Sequence, residues 1–404
     1  MTDAFAKCQL PPEAESLTSL RLYPFYRPVA ERFGDGEVLV EGRRVLMAGS
    51  NDYLALAEHP RVKEAGVGAL RRLGAGNSGS RVLNGTLALH EELEAELARF
   101  LGHEAAMVVT TGYQANLALA PLFGPRDVLY ADRHAHASLI EAARLGGSPL
   151  RRFRHNDVAH LGEMLAADDP ELGRLIVTEG MFSVTGDLCD LPAIAGLATA
   201  HGARLIVDSA HDLGLLGATG QGAGEQLGHQ DTIDVQTLTF SKCLGTTGGA
   251  VAGPARIIGY LRHRARAALF SASLPAACAA AALASLRIVR EEPERRRRVL
   301  EHARRLRDGL AGHGFTLPPG DTPTVPIEIG DPVTCCRFWT ALLEEGVLAN
   351  AMLPPAVPEG RSLIRVSVTA AHTEAQVDRL LEALATVADR LGPIAGRPGA
   401  VARV

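Results

Sequence analysis

The chain has 404 residues, of which 47% are hydrophobic and 22% charged, as in an ordinary folded protein with more than one core. A formal net charge of −5 gives no reason to expect binding to nucleic acid or to an anionic membrane. The six cysteines lack CxxC spacing, so neither a disulfide framework nor a metal site is expected. The N-terminal sequence does not resemble a secretory signal, and no apolar run is long enough to span a membrane, so we expect a cytoplasmic protein.

Residues 1–48 are predicted to form an N-terminal arm. Within it, the stretch EVLVEGRRVLM has two apolar runs separated by Glu41 and Gly42. This pattern predicts a β-hairpin whose turn lies at those two residues.

Residues 49–290 are predicted to form a large domain, because short apolar runs alternate there with amphipathic helical patterns. Strands that alternate with helices of this length indicate βαβ units and a mainly parallel sheet, hence an α/β fold. The predicted strands are 105–112, 128–132, 150–155, 174–180, 204–210, 233–240 and 248–254.

The remaining sequence predicts a smaller α+β C-terminal domain over residues 291–392 and a disordered tail over 393–404. A long helix leads into this domain, and its basic run RRRR (295–298) is interpreted as a solvated helix face. The predicted strands of the small domain are 324–330 and 362–368.

Two strands of the large domain end in groups suited to cofactor chemistry. The run LIVDSAHDLG leads from an apolar strand into Asp208 and His211, and TLTFSKCLG places Lys242 between a strand and a glycine-rich turn. Ligands bind at the carboxyl ends of parallel strands. Pyridoxal 5′-phosphate (PLP) needs an amine for a Schiff base, a carboxylate for its pyridine nitrogen and donors for its phosphate. These residues therefore predict a PLP site.

The chain also resembles the α-oxoamine synthases, PLP enzymes of the type I aminotransferase fold that include 8-amino-7-oxononanoate synthase, serine palmitoyltransferase, 5-aminolevulinate synthase and 2-amino-3-ketobutyrate CoA ligase. The resemblance covers residues 22–390 and implies a PLP-binding large domain followed by the smaller one. Ten segments carry it, in order: SNDYLAL, GSRVLNGT, LHEELE, TGYQAN, DRHAHASL, EGMFSVTGD, VDSAHDLG, TFSKCLG, FSASLP and IRVSVTAAHT.

The resemblance implies catalytic roles for Lys242, His136 and His211 and a cofactor-binding role for Asp208. Lys242 would hold PLP and then act as base at the substrate Cα, while Asp208 would pair with the pyridine nitrogen. His211 would bond the phenolic oxygen of PLP, and His136 would stack on the pyridine face. The neighbouring His134 leaves the choice of the stacking residue open.

The family pattern further implies how the PLP phosphate and hydroxyl are held. Backbone N–H groups of Gly112 and Tyr113 and the hydroxyl of Thr239 would bind the phosphate. Ser271 would reach it from a second subunit, which implies a homodimer. Ser183 resembles the serine near the PLP hydroxyl.

Substrate binding is expected from three residues. Arg365 matches the arginine that binds the amino acid's carboxylate, and Asn51 is expected to assist it. Ser80 stands where glycine-restricted members carry Thr, and Ala135 replaces an Asn of the family. Both changes enlarge the pocket and predict an amino acid larger than glycine.

The expected reaction condenses an α-amino acid with an acyl thioester, on CoA or an acyl carrier protein, with loss of CO2 to give an α-aminoketone. An aminotransferase of the same fold and a non-catalytic paralogous subunit are the alternatives. Ser209 and Thr185, where the family commonly has acids, indicate altered substrate choice. Some of the site residues could instead have an ordinary structural role. Lys242 could be a solvated lysine, Asp208 a helix-capping aspartate, the two histidines packed side chains, and Arg365 part of a surface ion pair.

Overall fold

The computed structural model describes residues 3–397, which form two compact units. One unit comprises the chain up to residue 50, residues 184–186 and the chain from residue 300 onward; the other comprises residues 51–183 and 187–299. Within the described residues, every helix is too short or too polar to cross a membrane.

The secondary structure of the described residues comprises fourteen strands and fourteen α-helices. The strands are β1 Val29–Arg32, β2 Glu37–Val40, β3 Arg43–Met47, β4 Ala105–Val109, β5 Asp127–Asp132, β6 Leu150–Phe153, β7 Gly173–Glu179, β8 Arg204–Asp208, β9 Val235–Thr239, β10 Gly249–Gly253, β11 Thr324–Gly330, β12 Val347–Leu348, β13 Asn350–Met352 and β14 Ser362–Ser367. The helices are α1 Pro12–Ser19, α2 Pro60–Leu73, α3 Ala88–Leu101, α4 Gly112–Leu117, α5 Ala137–Gly146, α6 Val158–Ala167, α7 Leu191–Ala200, α8 Ala223–Gln226, α9 Ala255–Arg264, α10 Arg266–Leu269, α11 Ala276–Glu291, α12 Glu294–Gly312, α13 Pro332–Glu344 and α14 Glu374–Leu391.

A seven-stranded sheet forms the centre of the unit that contains residues 51–183, called the large unit below. Its strand order is β4-β10-β9-β8-β7-β5-β6. β10 runs antiparallel to β4 and β9, and the other neighbouring strands are parallel. Because helices cover both faces, the central strands are buried along almost their whole length, as β8 and β9 show. The predicted α/β fold with a mainly parallel sheet is confirmed.

The other unit contains two small sheets. One has the order β1-β2-β3-β12 and the other the order β11-β14-β13. The predicted hairpin joins β2 to β3, and both turn residues have positive φ, 52° at Glu41 and 74° at Gly42. Positive φ at both central residues is typical of a type I′ turn, whose twist matches that of the strands.

Two expectations about the later part of the chain are corrected. The run RRRR does not form a uniformly solvated face: Arg296 is 5% exposed, and its guanidinium donates to the carbonyl oxygens of Val289 and Ala218 at 2.5 and 2.7 Å. The predicted disordered tail begins with placed residues, because Ile394 is buried and the Gly396 N–H donates to Glu328 O at 2.7 Å. Residues 398–404 of that tail lie outside the described residues.

Candidate active site

The predicted cofactor residues of the large unit gather where β7, β8 and β9 end. Asp208 is the last residue of β8 and lies opposite Glu179, the last residue of β7. Thr239 ends β9, and Lys242 follows three residues later. Because these strands are parallel neighbours, their carboxyl ends place an acid, an amine and a hydroxyl at one edge of the sheet.

Asp208 is 5% exposed, and each of its carboxylate oxygens has a donor. Oδ2 accepts from the Asn116 side-chain amide at 2.7 Å, and Oδ1 accepts from the Ala210 N–H at 2.9 Å. The second bond is a local turn contact of the capping kind. The bond from Asn116 comes from α4, so the Asp208 carboxylate is also oriented by an element distant in sequence.

Lys242 lies in the tight turn that follows β9. Its carbonyl oxygen accepts from the N–H of Gly245, whose φ is 63°. A Cβ on Gly245 would lie 2.3 Å from the Ala57 nitrogen, so this turn requires glycine. The turn fixes the direction in which the chain leaves β9 and thereby the position of Lys242.

The sequence contains only three lysines, a signal that the motif reasoning did not use. Lys7 is exposed, and Lys63 is exposed and paired with Glu58 at 3.2 Å. Lys242 is partly buried and its charge acts on both His136 and Glu179. Of the three amines, it is the one placed within a cluster of ionisable groups.

His136 is the N-cap residue of α5. Its side chain is exposed, but its Nδ1 atom faces the buried Ser138. Nδ1 accepts from the Ser138 N–H at 3.3 Å and lies 2.7 Å from the Ser138 hydroxyl. Desolvation lowers the pKa of His136; Asp208 opposes this effect and the positive charge of Lys242 adds to it. His136, Asp208 and Lys242 therefore lie within electrostatic range of one another.

His134 belongs to a different cluster. Its ring stacks on that of His155, with centroids 3.9 Å apart and planes 20° apart. The His155 ring in turn bridges Asp132 and Asp187, with N–O distances of 3.0 and 2.9 Å. Burial disfavours charge on His155, but the bonds to the two carboxylates outweigh it and raise its pKa to about 9. This packing separates His134 from His136 and favours His136 as the residue at the cofactor site.

His211 is held by a buried tyrosine. The Tyr53 hydroxyl lies 2.8 Å from His211 Nδ1, and the two residues are 0% and 5% exposed. With Nδ1 engaged, the other ring nitrogen is the one directed to further partners. Tyr53 was not among the predicted site residues, although it lies in the SNDYLAL segment.

Gly112 and Thr239 form a close backbone contact. A Cβ on Gly112 would lie 2.5 Å from Thr239 Cβ and 2.7 Å from its hydroxyl oxygen. The Thr239 hydroxyl also lies 2.9 Å from the Ser241 hydroxyl. Tyr113, 41% exposed, bonds through its hydroxyl to Glu141, and its ring meets that of His136 edge-on at 5.9 Å. Three predicted phosphate-binding residues are thus adjacent.

The other predicted residues are placed as follows. Asn51, Ser80, Ser183 and Ser271 lie in loops of the large unit and are partly buried. Arg365 lies in the other unit, on β14, so the described contacts do not test whether it joins the site. It is 5% exposed and donates to the Thr324 hydroxyl at 3.2 Å, so the alternative of a surface ion pair is wrong.

Glu179 is a site residue that the sequence reasoning missed. It is 3% exposed, and its Oε1 atom has no hydrogen-bond partner among the described residues. Burial raises the pKa of Glu179 well above its usual range; Asp208 adds to this, and Lys242 and the His136 N–H oppose it. Like Asp208, Glu179 is an acid at the end of an apolar run, RLIVTEG, so the same sequence pattern predicts it.

Comparison with known proteins identifies the family of the chain. A family model described as aminotransferase class I and II matches residues 43–384. A serine palmitoyltransferase of Sphingobacterium spiritivorum is 40% identical over 92% of this chain and 94% of its own length. An 8-amino-7-oxononanoate synthase of Geobacter sulfurreducens is 42% identical over 94% of this chain and 98% of its own.

Solved structures show the same fold. The Sphingomonas wittichii serine palmitoyltransferase gives a TM-score of 0.94 at 34% identity, covering 97% of this chain and 100% of that one. A serine palmitoyltransferase structure with PLP gives the same values. Against a longer Mycobacterium tuberculosis relative, 44% identical, the chain spans 45% of that protein's length. The chain belongs to the class I and II aminotransferase family, in its α-oxoamine synthase branch.

Proposed function

We propose that the chain is a PLP-dependent acyltransferase that condenses an α-amino acid with an acyl thioester. The observation that carries this proposal is the placement of Asp208 and Lys242 at the ends of neighbouring strands, where both act on the same two ionisable residues. Relatives at 40–42% identity that are named for such condensations support it.

The residues present fit PLP. Asp208 offers the ring nitrogen a buried carboxylate whose two oxygens both accept hydrogen bonds and which is therefore held in place. Gly112 leaves space where a side chain would collide with Thr239, as a backbone cradle for a phosphate requires. Lys242 supplies the amine.

PLP, when bound, acts as the electron sink that acidifies the Cα–H bond of the amino acid. Lys242 would hold the cofactor through its amine, and the same amine would serve as the base for the Cα proton of the amino acid. Asp208 would pair with the ring nitrogen, and His211 would donate to the phenolic oxygen. Overall, Cα bonds to the acyl carbon, the thiol leaves, the carboxyl group departs as CO2 and Cα regains a proton.

The substrate contacts belong to the same proposal. Arg365 binds the carboxylate through its planar fork with the help of Asn51, and Ser80 leaves room beside Cα for an amino acid larger than glycine. The acyl group arrives as a thioester of CoA or of an acyl carrier protein.

We also propose that the enzyme works as a homodimer, with Ser271 of one subunit serving the phosphate of the other. Supporting this, Phe270 next to it is 81% exposed in the single chain, and Val82 and Leu83 are 54% and 80% exposed. Clustered exposed apolar side chains mark protein–protein contacts. Light scattering of the PLP-saturated enzyme should give the mass of a dimer; an active monomer would refute this proposal.

Product mass tests the function. The enzyme is incubated with PLP and a panel of amino acids and acyl-CoA thioesters, and we expect an α-aminoketone together with free thiol and CO2. Lys242→Ala is the control and should give none. In a parallel incubation with an added α-keto acid, transfer of the amino group to that acid, without release of thiol, would show an aminotransferase instead.

A further inference from the structure

A chain of buried hydrogen bonds joins two of the proposed catalytic residues through two side chains to which no role has been given. Asn116 and Ser138 are 3% and 0% exposed. The Asn116 amide nitrogen donates to Asp208 Oδ2 at 2.7 Å and to the Ser138 hydroxyl oxygen at 2.9 Å. The Ser138 hydroxyl lies 2.7 Å from His136 Nδ1.

The direction of every bond in this chain is set by chemistry. An ionised carboxylate only accepts, so the amide nitrogen of Asn116, with its two hydrogens, faces Asp208. Its second hydrogen goes to the Ser138 oxygen. The Ser138 hydroxyl proton is then left to donate onward, and the nearest acceptor is His136 Nδ1.

A second donor favours the same state of Nδ1. The backbone N–H of Ser138 is one of the unpaired donors in the first turn of α5, and it points at His136 Nδ1 from 3.3 Å. A backbone N–H only donates, so Nδ1 carries its lone pair there and the ring proton lies on Nε2. Protonating Nδ1 would break the helix cap and reverse the hydroxyl bond together.

We propose that Asn116 and Ser138 are positioning residues that hold His136 as the neutral Nε2–H tautomer and tie it to the carboxylate of Asp208 as one unit. This inference rests on the proposed function in assigning His136 and Asp208 to the PLP ring. A neutral His136 adds no second positive charge beside a protonated pyridine nitrogen, and it offers one N–H donor of fixed position.

The charged groups around His136 come from several elements. Asp208 on β8 and Glu141 on α5 favour its protonation, and Lys242 after β9 disfavours it. Tyr113 on α4 meets the ring edge-on, and the carboxyl group of Glu179 on β7 accepts from the His136 backbone N–H. Desolvation lowers the pKa of His136, in the same direction as the two donors at Nδ1.

The first test reads the tautomer directly. In the full-length protein labelled with 15N-histidine, with and without PLP, the signal lost in His136→Gln identifies this residue. We expect the neutral Nε2–H pattern near neutral pH in the wild type. In Ser138→Ala, a fraction of Nδ1–H or imidazolium form should appear, and Ser138→Thr should restore the wild-type pattern. An Nδ1–H or imidazolium pattern in the wild type overturns the proposal.

The second test measures coupling. Asn116→Ala and Ser138→Ala should each weaken PLP binding about 2- to 10-fold, as for loss of one buried hydrogen bond. Because the two residues act in one chain, the double variant should lose less than the product of the two effects. Ser148→Ala is the matched control: Ser148 is also buried but donates to Gly124 O at 2.8 Å, before β5 and β6 begin and so at the opposite end of these strands, and should leave binding unchanged. If the double variant weakened PLP binding by the full product of the two single effects, the proposal would be overturned.

The two hypotheses fail separately. The tautomer of His136 is read in the protein without PLP, so it is measured even if PLP does not bind at Lys242. Conversely, PLP bound at Lys242 with an Nδ1–H or charged His136 leaves the proposed function in place and rejects the positioning role.

Discussion

Replacement of His155 tests whether its contacts with the carboxylates of Asp132 and Asp187 stabilise the folded protein. The His155 ring spans Asp132 and Asp187 and is one-fifth exposed, and those contacts raise its pKa to about 9 from an ordinary value of 6.5. A raised pKa means that the folded state binds the proton more tightly. The resulting stabilisation is complete below pH 6.5 and is lost as the pH rises through 9.

The magnitude follows from the shift. Each pKa unit corresponds to about 1.4 kcal/mol, so the difference between 6.5 and about 9 gives an upper bound of about 3.5 kcal/mol. Asn156 also donates to Asp132 and Asp187, at 2.9 and 2.7 Å, so neither carboxylate is left without a donor when His155 is replaced. We therefore expect His155→Gln to cost about 2–3 kcal/mol at low pH.

The assay compares urea unfolding of His155→Gln and wild type at pH about 6 and about 10. Taking the difference between the two proteins cancels the titration of the other groups. The difference should be largest at the lower pH and shrink toward zero at the higher pH. His263→Gln, on an exposed histidine of α9, is the control and should show no such dependence. An equal loss of stability at both pH values would refute the ion-pair reasoning.

Three further predictions concern other parts of the large unit. Gly112→Ala should weaken PLP binding tenfold or more, because its Cβ would lie 2.5 Å from Thr239 Cβ, whereas Gly68→Ala, with nothing within 4 Å, should leave binding unchanged in the same titration. Burial raises the pKa of Asp212 to about 7, so part of the folding stability present near pH 4 is lost as the pH rises toward 7. Asp212→Asn should therefore be more stable than the wild type at pH about 8, by up to about 4 kcal/mol, and similar to it at pH about 4. Urea unfolding at the two pH values measures this difference. Alanine, serine or glutamate should perturb the PLP spectrum at lower concentration than glycine, and Ser80→Thr should reduce this preference by about 1–3 kcal/mol; tightest binding of glycine, unchanged by Ser80→Thr, would contradict the pocket argument.

The sheet of the large unit was predictable because its strands are read directly from apolar runs. β7, β8 and β9 are buried over most of their length, and each ends at a polar residue: Glu179, Asp208 or Thr239. The same boundary that marks the end of a strand marks the start of the site. Fold and cofactor position therefore follow from one pattern.

The contacts that orient the site residues could not be predicted from the sequence pattern. Asn116 reaches Asp208 across 92 positions and Tyr53 reaches His211 across 158, and no local periodicity encodes such pairs. Arg296 was misassigned for a related reason: an arginine among arginines looks solvated, but two backbone carbonyl oxygens receive its guanidinium in the interior. Polar burial depends on partners that only the fold brings close.

The central claim is that Lys242 carries PLP, and borohydride trapping tests it most directly. The enzyme is saturated with PLP, reduced, digested and mapped by mass spectrometry. Only Lys7, Lys63 and Lys242 are available among the lysines of the sequence. The account predicts the pyridoxyl adduct on the peptide that contains TFSKCLG. An adduct on Lys7 or Lys63, with Lys242 unmodified, would contradict it.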